Sequence, residues 1–237
     1  MKKLLVISLL FLGFNKLSIG SETFGPYESR LIFEGDKKNI TYRINNTGKL
    51  TWLVQAWVED IKEIKTKDFT VVPTLFRVEP NSQFTAKVVK NGNVPEDKET
   101  LFWVVSNSLP GGDKKEKEKE GDVKDEQIQA KLNLAYRYKV PMYYRPAGLK
   151  NIAQRPDMLE WTTDKNGKIN VYNPTKYSVQ IQHVYANGVR NDGQGVSYII
   201  PPMTGAALRI KSKRGEKIKY GIINDYGTVK EYEGVIK

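Results

Sequence analysis

The sequence predicts an all-β chain of two domains, the first an immunoglobulin-like β-sandwich, on three observations. Short apolar runs rich in Val, Ile, Tyr and Trp recur, each bounded by Asn, Gly, Pro or Asp. Helix signals are nearly absent. After Arg145-Pro146 the sequence of runs and turns starts afresh, which divides the 237 residues into a larger first and a smaller second β domain.

The chain opens with "MKKLLVISLLFLGFNKLSIGS", which has the parts of a secretory signal. Lys2 and Lys3 form the charged start, Leu4 to Phe14 the apolar core, and Ser18-Ile19-Gly20 a small-x-small exit. The apolar run is shorter than the roughly 20 residues a spanning helix needs. Residues 1–21 are therefore expected to be a cleaved signal peptide, with the mature chain not inserted in a membrane. Removing them takes Lys2, Lys3 and Lys16 and lowers the formal charge from +11 to +8. There are no cysteines, so the fold must rest on its core rather than on disulfides.

In the first domain, expected over residues 22–147, strands are read at 29–34, 39–45, 51–58, 69–72, 84–90, 100–107 and 128–144. The turns "NNTGK" at 45–49, "EPNS" at 79–82 and "NGNVPED" at 91–97 separate them. Seven strands over about 120 residues fit an immunoglobulin-like sandwich. The second domain, expected over 148–237, reads as strands near 158–162, 168–173, 177–184, 207–211, 217–223 and 228–236. In "INDYG" at 223–227, Asn224 and Asp225 suit a turn, Gly227 permits a positive φ, and Tyr226 is expected to pack between strands.

Two adjacent stretches stand out. Segment 111–126, within "GGDKKEKEKEGDVKDEQ", holds Val123 as its only large apolar residue and reads as a charged loop. Directly after it, "IQAKLNLAYRYKVPMYYRP" places an apolar or aromatic side chain on every even position from Ile128 to Met142. An alternating strand of this length presents one apolar face and a full edge of backbone donors and acceptors. Tyr136, Tyr138 and Val140 are expected to face inward within the first domain. Ile128, Ala130, Leu132 and Leu134, next to the charged loop, lie at its periphery.

Several chemistries are excluded or unsupported. One histidine, His183, and no cysteine leave no basis for a zinc site. His183 lies in a predicted strand and reads as a structural histidine. No nucleophile turn and no phosphate-cradling glycine loop occur. Neither an enzymatic activity, a metal nor a cofactor is expected. The basic residues are scattered with no basic helix, so a protein partner fits the charge better than nucleic acid.

The order of several stretches resembles a known family. "SRLIFEGDKKNITYRINNTGK" at 29–49, "WLVQAWVED" at 52–60, "FTVVPTLFRVEPNS" at 69–82, "NVPEDKETLFWVVSNSLP" at 93–110 and "YYRP" at 143–146 lie in the first domain. "VYNPTKYSVQI" at 171–181 and "KYGIINDYGTVKEYEG" at 219–234 complete the match. Together they resemble the periplasmic pilus-assembly chaperones of the chaperone–usher pathway. The resemblance implies two immunoglobulin-like β-sandwich domains in a boomerang arrangement and a non-enzymatic role in the periplasm. It implies pilus subunits lacking one strand as partners, which the chaperone completes for a time and delivers to an outer-membrane usher. Residues 128–144 then read as the donor strand, with Ile128, Ala130, Leu132 and Leu134 entering the subunit groove. A self-capping homo-oligomer is the other state open to the unliganded edge. The family also anchors the subunit's C-terminal carboxylate with an Arg and a Lys. Arg30 matches the Arg; Pro141 stands where the Lys belongs, and Lys139, two residues earlier on the same face, is the expected substitute. The alternative reading, a secreted immunoglobulin-like pilin or adhesin, would need an alternating apolar extension near the mature N terminus, and "SETFGPYESR" has none.

Overall fold

The computed structural model describes residues 22–111 and 134–237. The first part contains β1 (Phe24–Pro26), β2 (Leu31–Glu34), β3 (Asn39–Asn46), β4 (Trp52–Glu59), β5 (Phe69–Val72), β6 (Leu75–Val78), β7 (Ser82–Lys90), β8 (Thr100–Pro110) and β9 (Tyr136–Arg145). Sheet β1-β3-β7-β5 packs on sheet β2-β9-β8-β4-β6 through a shared core. Strand alternation builds that core. In β4, Trp52, Val54, Ala56 and Val58 are buried, while Leu53 and Gln55 point outward. The buried Tyr42 hydroxyl is satisfied by Ser106 at 2.9 Å across the two sheets. Burial pushes its ionisation well up, with the Ser106 hydrogen bond acting the other way.

The second part contains β10 (Glu160–Thr163), β11 (Lys168–Asn173), β12 (Val179–Ala186), β13 (Val189–Asp192), β14 (Ile199–Ile200), β15 (Thr204–Lys211), β16 (Lys217–Ile223) and β17 (Val229–Val235). Sheet β10-β11-β15 packs on β13-β12-β16-β17, and β14 adds to β12. The same polar device closes a hairpin in each part. Asn46 is buried; its amide donates to Leu50 O at 2.7 Å and Glu79 O at 2.8 Å, and its oxygen accepts from Gly48 N–H. Asn173 is buried likewise; it donates to Tyr177 O at 2.7 Å and Ile200 O at 2.9 Å and accepts from Thr175 N–H. Each asparagine satisfies loop backbone groups that no strand partner reaches.

The structure corrects the sequence reading at a few places. β1, β6, β13 and β14 were not expected. β5 and β6 fall in one apolar stretch, "FTVVPTLFRV", but the cis Val72-Pro73 bond lies between them. β5 pairs with β7 in one sheet and β6 with β4 in the other, so the chain changes sheets at the proline. Tyr136 is 40% exposed rather than inward. It lies at the first position of β9, beyond the end of the core, and its ring packs on Trp52 at 5.2 Å. Tyr226 is 91% exposed, because a tight Asn224–Gly227 turn projects it away from both sheets. Gly227 there has φ +80°, as expected.

His183 is buried on the outer face of β12. Gly221 lies opposite it in register on β16, and any side chain at Gly221 would collide with the imidazole. Its Nε2 lies 2.8 Å from Glu231 Oε1, at an angle too poor for a directed hydrogen bond. Gly221→Ala should therefore lower second-domain stability by about 1–3 kcal/mol through overpacking, read as a lower urea midpoint with an unchanged slope.

Candidate functional site

The site is organised by β9. Its C-terminal half is a central strand: residues 142–144 pair with β8 on one side and, in parallel register, residues 142–145 pair with β2 on the other. Val140, Met142 and Tyr144 enter the core. Residues 136–141 pair with β8 alone. Among the described residues their second edge has no strand partner, so a row of backbone groups is open for pairing. Leu134, just before this edge, is 52% exposed. Ile128, Ala130 and Leu132 lie outside the described residues. Beside the open edge, Phe24 stacks on Trp52 at 4.3 Å and lies 6.3 Å from the Tyr138 ring.

The outward face of β9 is charged and paired. Arg137 donates to Glu59 Oε1 at 2.7 Å, and Trp57 Nε1 donates to the same oxygen at 2.8 Å. Lys139 pairs with Glu63 at 2.7 Å, lies 3.9 Å from Glu59 Oε2, and sits over the Trp103 ring at 5.0 Å. The Lys139 hydrogen bond holds the Glu63 carboxyl below its ordinary range. Pro141 continues the strand opposite Trp103. At that level β9 has a neighbour on one side only, so the missing N–H removes at most one ladder bond.

At its far end β9 reaches the second sandwich. Arg145 donates from Nε and Nη2 to Glu99 Oε1 at 3.0 and 2.9 Å, and from Nη1 and Nη2 to Asp225 at 2.9 and 3.1 Å. Ser178 N–H donates to the other Glu99 oxygen at 2.8 Å, and Gln154 donates to Asp225 at 2.9 Å. One guanidinium thus ties the start of β8 to the β16–β17 turn. Burial raises the Glu99 carboxyl, and the Arg145 charge and Ser178 offset this only partly. Burial acts to raise Asp225 too, but the Arg145 fork, Gln154 and Arg30 outweigh it and hold that carboxyl low.

Next to this bridge lies an interdomain cavity of about 90 Å³, walled by Arg30 and Tyr143 from the first sandwich and by Ile223, Lys230 and Tyr232 from the second. Small-molecule sites measure about 300–1,000 Å³, so the space suits a single functional group such as a carboxylate. Arg30 donates from Nη1 to Ile223 O at 3.3 Å, and its buried Nε has no partner among the described residues. Of the two residues expected to hold a carboxylate, the structure brings Arg30 to the cavity. Lys139 does not line it and is engaged by Glu63 and Glu59. The bridge of Arg145, Glu99 and Asp225 was not anticipated. Its one sequence signal was a charged residue closing the apolar run of β9.

Comparisons with known proteins agree with this architecture. The pili and flagellar-assembly chaperone PapD N-terminal domain family matches residues 23–150, and the pili assembly chaperone PapD C-terminal domain family matches residues 154–234. The chain belongs to the PapD family of pilus-assembly chaperones. That is a family of chaperones and not of enzymes. Chaperone protein FocC of Escherichia coli is 30% identical, with 88% of each chain covered. Chaperone protein LpfB of Salmonella typhimurium is 28% identical, covering 84% of this chain and 83% of its own. The structure of the Salmonella enterica SafA pilin in complex with the SafB chaperone matches with a TM-score of 0.71 at 25% identity, covering 91% of this chain and 96% of that one.

Two outcomes follow for the bridge. Arg145→Gln strands Glu99 in the interface and should cost about 3 kcal/mol, the low end for a broken buried pair because Asp225 is partly exposed. Calorimetry should show one thermal transition separating into two. On acidification the two carboxyls act oppositely. The raised Glu99 takes up its proton first and, by itself, favours the folded state as pH falls. The lowered Asp225 contributes stability above its unfolded value near 3.9, and that contribution is lost as pH falls through the lower folded value. Asp225→Asn should flatten the acid limb of a stability–pH curve below about pH 5.

Proposed function

We propose that this chain is a periplasmic chaperone that captures pilus subunits by donor-strand complementation and passes them to an outer-membrane usher. Residues 1–21 are read as the signal that directs it there. The observation that carries the proposal is the open edge of β9 at residues 136–141, continuous in sequence with the alternating segment from Ile128 to Leu134.

A subunit missing one strand of its sandwich exposes apolar side chains between two unpaired edges. An added strand satisfies both, pairing its backbone while alternate side chains fill the groove. Ile128, Leu132 and Leu134 supply the large side chains, with Ala130 a shallow contact. At about 1.5–3 kcal/mol each, the three give roughly 5–9 kcal/mol before the costs of association. The strand is rooted in a packed core at Met142 and Tyr144, so its direction is fixed before a subunit arrives.

The subunit's C-terminal carboxylate is read as docking on Arg30. A guanidinium grips a carboxylate through two parallel hydrogen bonds, and Arg30 has a buried Nε without a partner among the described residues. This fixes the register of the subunit against the donor segment.

Co-expression with the pilus subunit of the same strain tests the reading. Arg30→Ala and Leu132→Asp should each lower the co-purified subunit about tenfold or more, equivalent to at least 1.4 kcal/mol, at equal chaperone yield. Undiminished recovery with both variants would overturn it.

A further inference from the structure

We propose that Lys230, on the second domain, supplies the second positive charge that holds the subunit's C-terminal carboxylate, so that both domains grip the chain end. This rests on the reading of Arg30 as the first part of that anchor and names its partner.

Three cationic side chains line the interdomain cavity: Arg30, Arg155 and Lys230. Arg155 is taken up by Asp157, to which it donates from Nε at 2.9 Å and from Nη2 at 2.6 Å. The two acids of the lining, Glu99 and Asp225, are both held by Arg145. Lys230 forms no ion pair and no side-chain hydrogen bond among the described residues; its ammonium lies 5.4 Å from the Tyr232 ring centre. Once these pairs are counted, Arg30 and Lys230 are the cations of the lining that form no ion pair among the described residues, one on each wall.

The placement of Lys230 is unusual for a lysine. It stands opposite Ile222 on β17, and Tyr232, two residues on, stands opposite Tyr220. Ile222 and Tyr220 belong to the core of the second sandwich, and Tyr232 packs against it. Strand alternation therefore sets Lys230 on the inward face, at the end of the sandwich where the core gives way to the cavity. The residue is exposed there, with its ammonium beside the Tyr232 ring and on the cavity wall. The Ile223 carbonyl that Arg30 touches is next to Ile222, Lys230's partner in register.

Among the described residues the first domain adds no second cation to the lining. Pro141 carries no charge where the family resemblance expects a lysine. Lys139 is occupied by Glu63 at 2.7 Å and stands 3.9 Å from the buried Glu59 Oε2.

The test uses the full chain and a peptide copying the C-terminal strand of the pilus subunit from the same strain, prepared as the free acid and as the C-terminal amide. Lys230→Met should weaken binding of the acid about 10- to 100-fold, as expected for a lost hydrogen bond between charged groups, and leave binding of the amide unchanged. Lys230→Arg should keep most of the preference for the acid, and Lys139→Met should keep all of it. Thermal unfolding of the Lys230→Met protein should match that of the parent, because Lys230 is exposed and unpaired among the described residues. Equal loss on acid and amide, or no loss on either, overturns the assignment. So does self-association of Lys230→Met with an intact acid preference, the result for an inward lysine that only guards the β17 edge against sheet pairing. If the parent binds acid and amide alike, or Arg30→Ala leaves the acid's affinity unchanged, the carboxylate anchor itself is wrong.

Discussion

The contact between the two sandwiches is organised around one guanidinium. Arg145 uses its planar fork to hold Glu99 from the first sandwich and Asp225 from the second at the same time. No ammonium could do this with fixed geometry, because it is a point charge on a flexible stem. Other direct links join it: Ser178 N–H donates to Glu99 at 2.8 Å, and Glu99 N–H donates to Lys176 O at 2.9 Å. Tyr143 donates to Gln180 at 3.4 Å, and Arg30 reaches the Ile223 carbonyl at 3.3 Å. The cavity stays available to an anion because Arg145 neutralises the two acids that line it. Had either acid been unpaired, the same space would repel a carboxylate.

The same strand that ends at Arg145 begins at the open edge, and its environment changes steadily along its length. Residues 142–144 have strand neighbours on both sides, 136–141 on one among the described residues. In the sequence, the alternation that fills this protein's own core at Val140, Met142 and Tyr144 runs back unbroken to Ile128, into the row proposed to fill another. Rooting the donor in a packed core matters energetically. Ordering a free segment costs roughly 1–2 kcal/mol per residue in backbone entropy. A strand whose one end is already fixed loses less than a free peptide on binding.

Much of this was legible in the sequence, and the limits have physical causes. Alternation exposed the strands that bury one face, such as β4 and β16, because a period of two is visible in a single sequence. It did not expose β6, since one apolar stretch serves two strands in different sheets and only pairing tells them apart. It missed β1 and β14, which are too short to show a period. Arg30 was found because its setting, "SRLIFEG", resembles a family's first strand; nothing in its composition marks it. Lys139 follows from the family's lysine position and strand alternation, which give the face of a side chain but not its partners, and Glu59 and Glu63 come from a distant hairpin. Tyr226, expected between strands, is exposed because the tight turn around it projects it away from both sheets. The Arg145 bridge joins residues 80 positions apart, a relation local pattern cannot carry.

The two faces of β9 differ in a way that decides which one is offered to a partner. On the outward face, Arg137, Lys139, Glu59 and Glu63 form a paired network laid over Trp57 and Trp103. Burying Glu59 there has a desolvation cost that apolar packing would avoid, so stability alone does not explain it. The charges keep that face hydrated and unfit for sheet stacking, while the opposite face stays apolar and its edge unpaired. An edge strand apolar on both faces would pair indiscriminately and aggregate. With charge confined to one side, an incoming strand finds a single productive orientation, with backbone on the free edge and side chains on the apolar face. The network thus gives up some stability and gains a defined direction of approach.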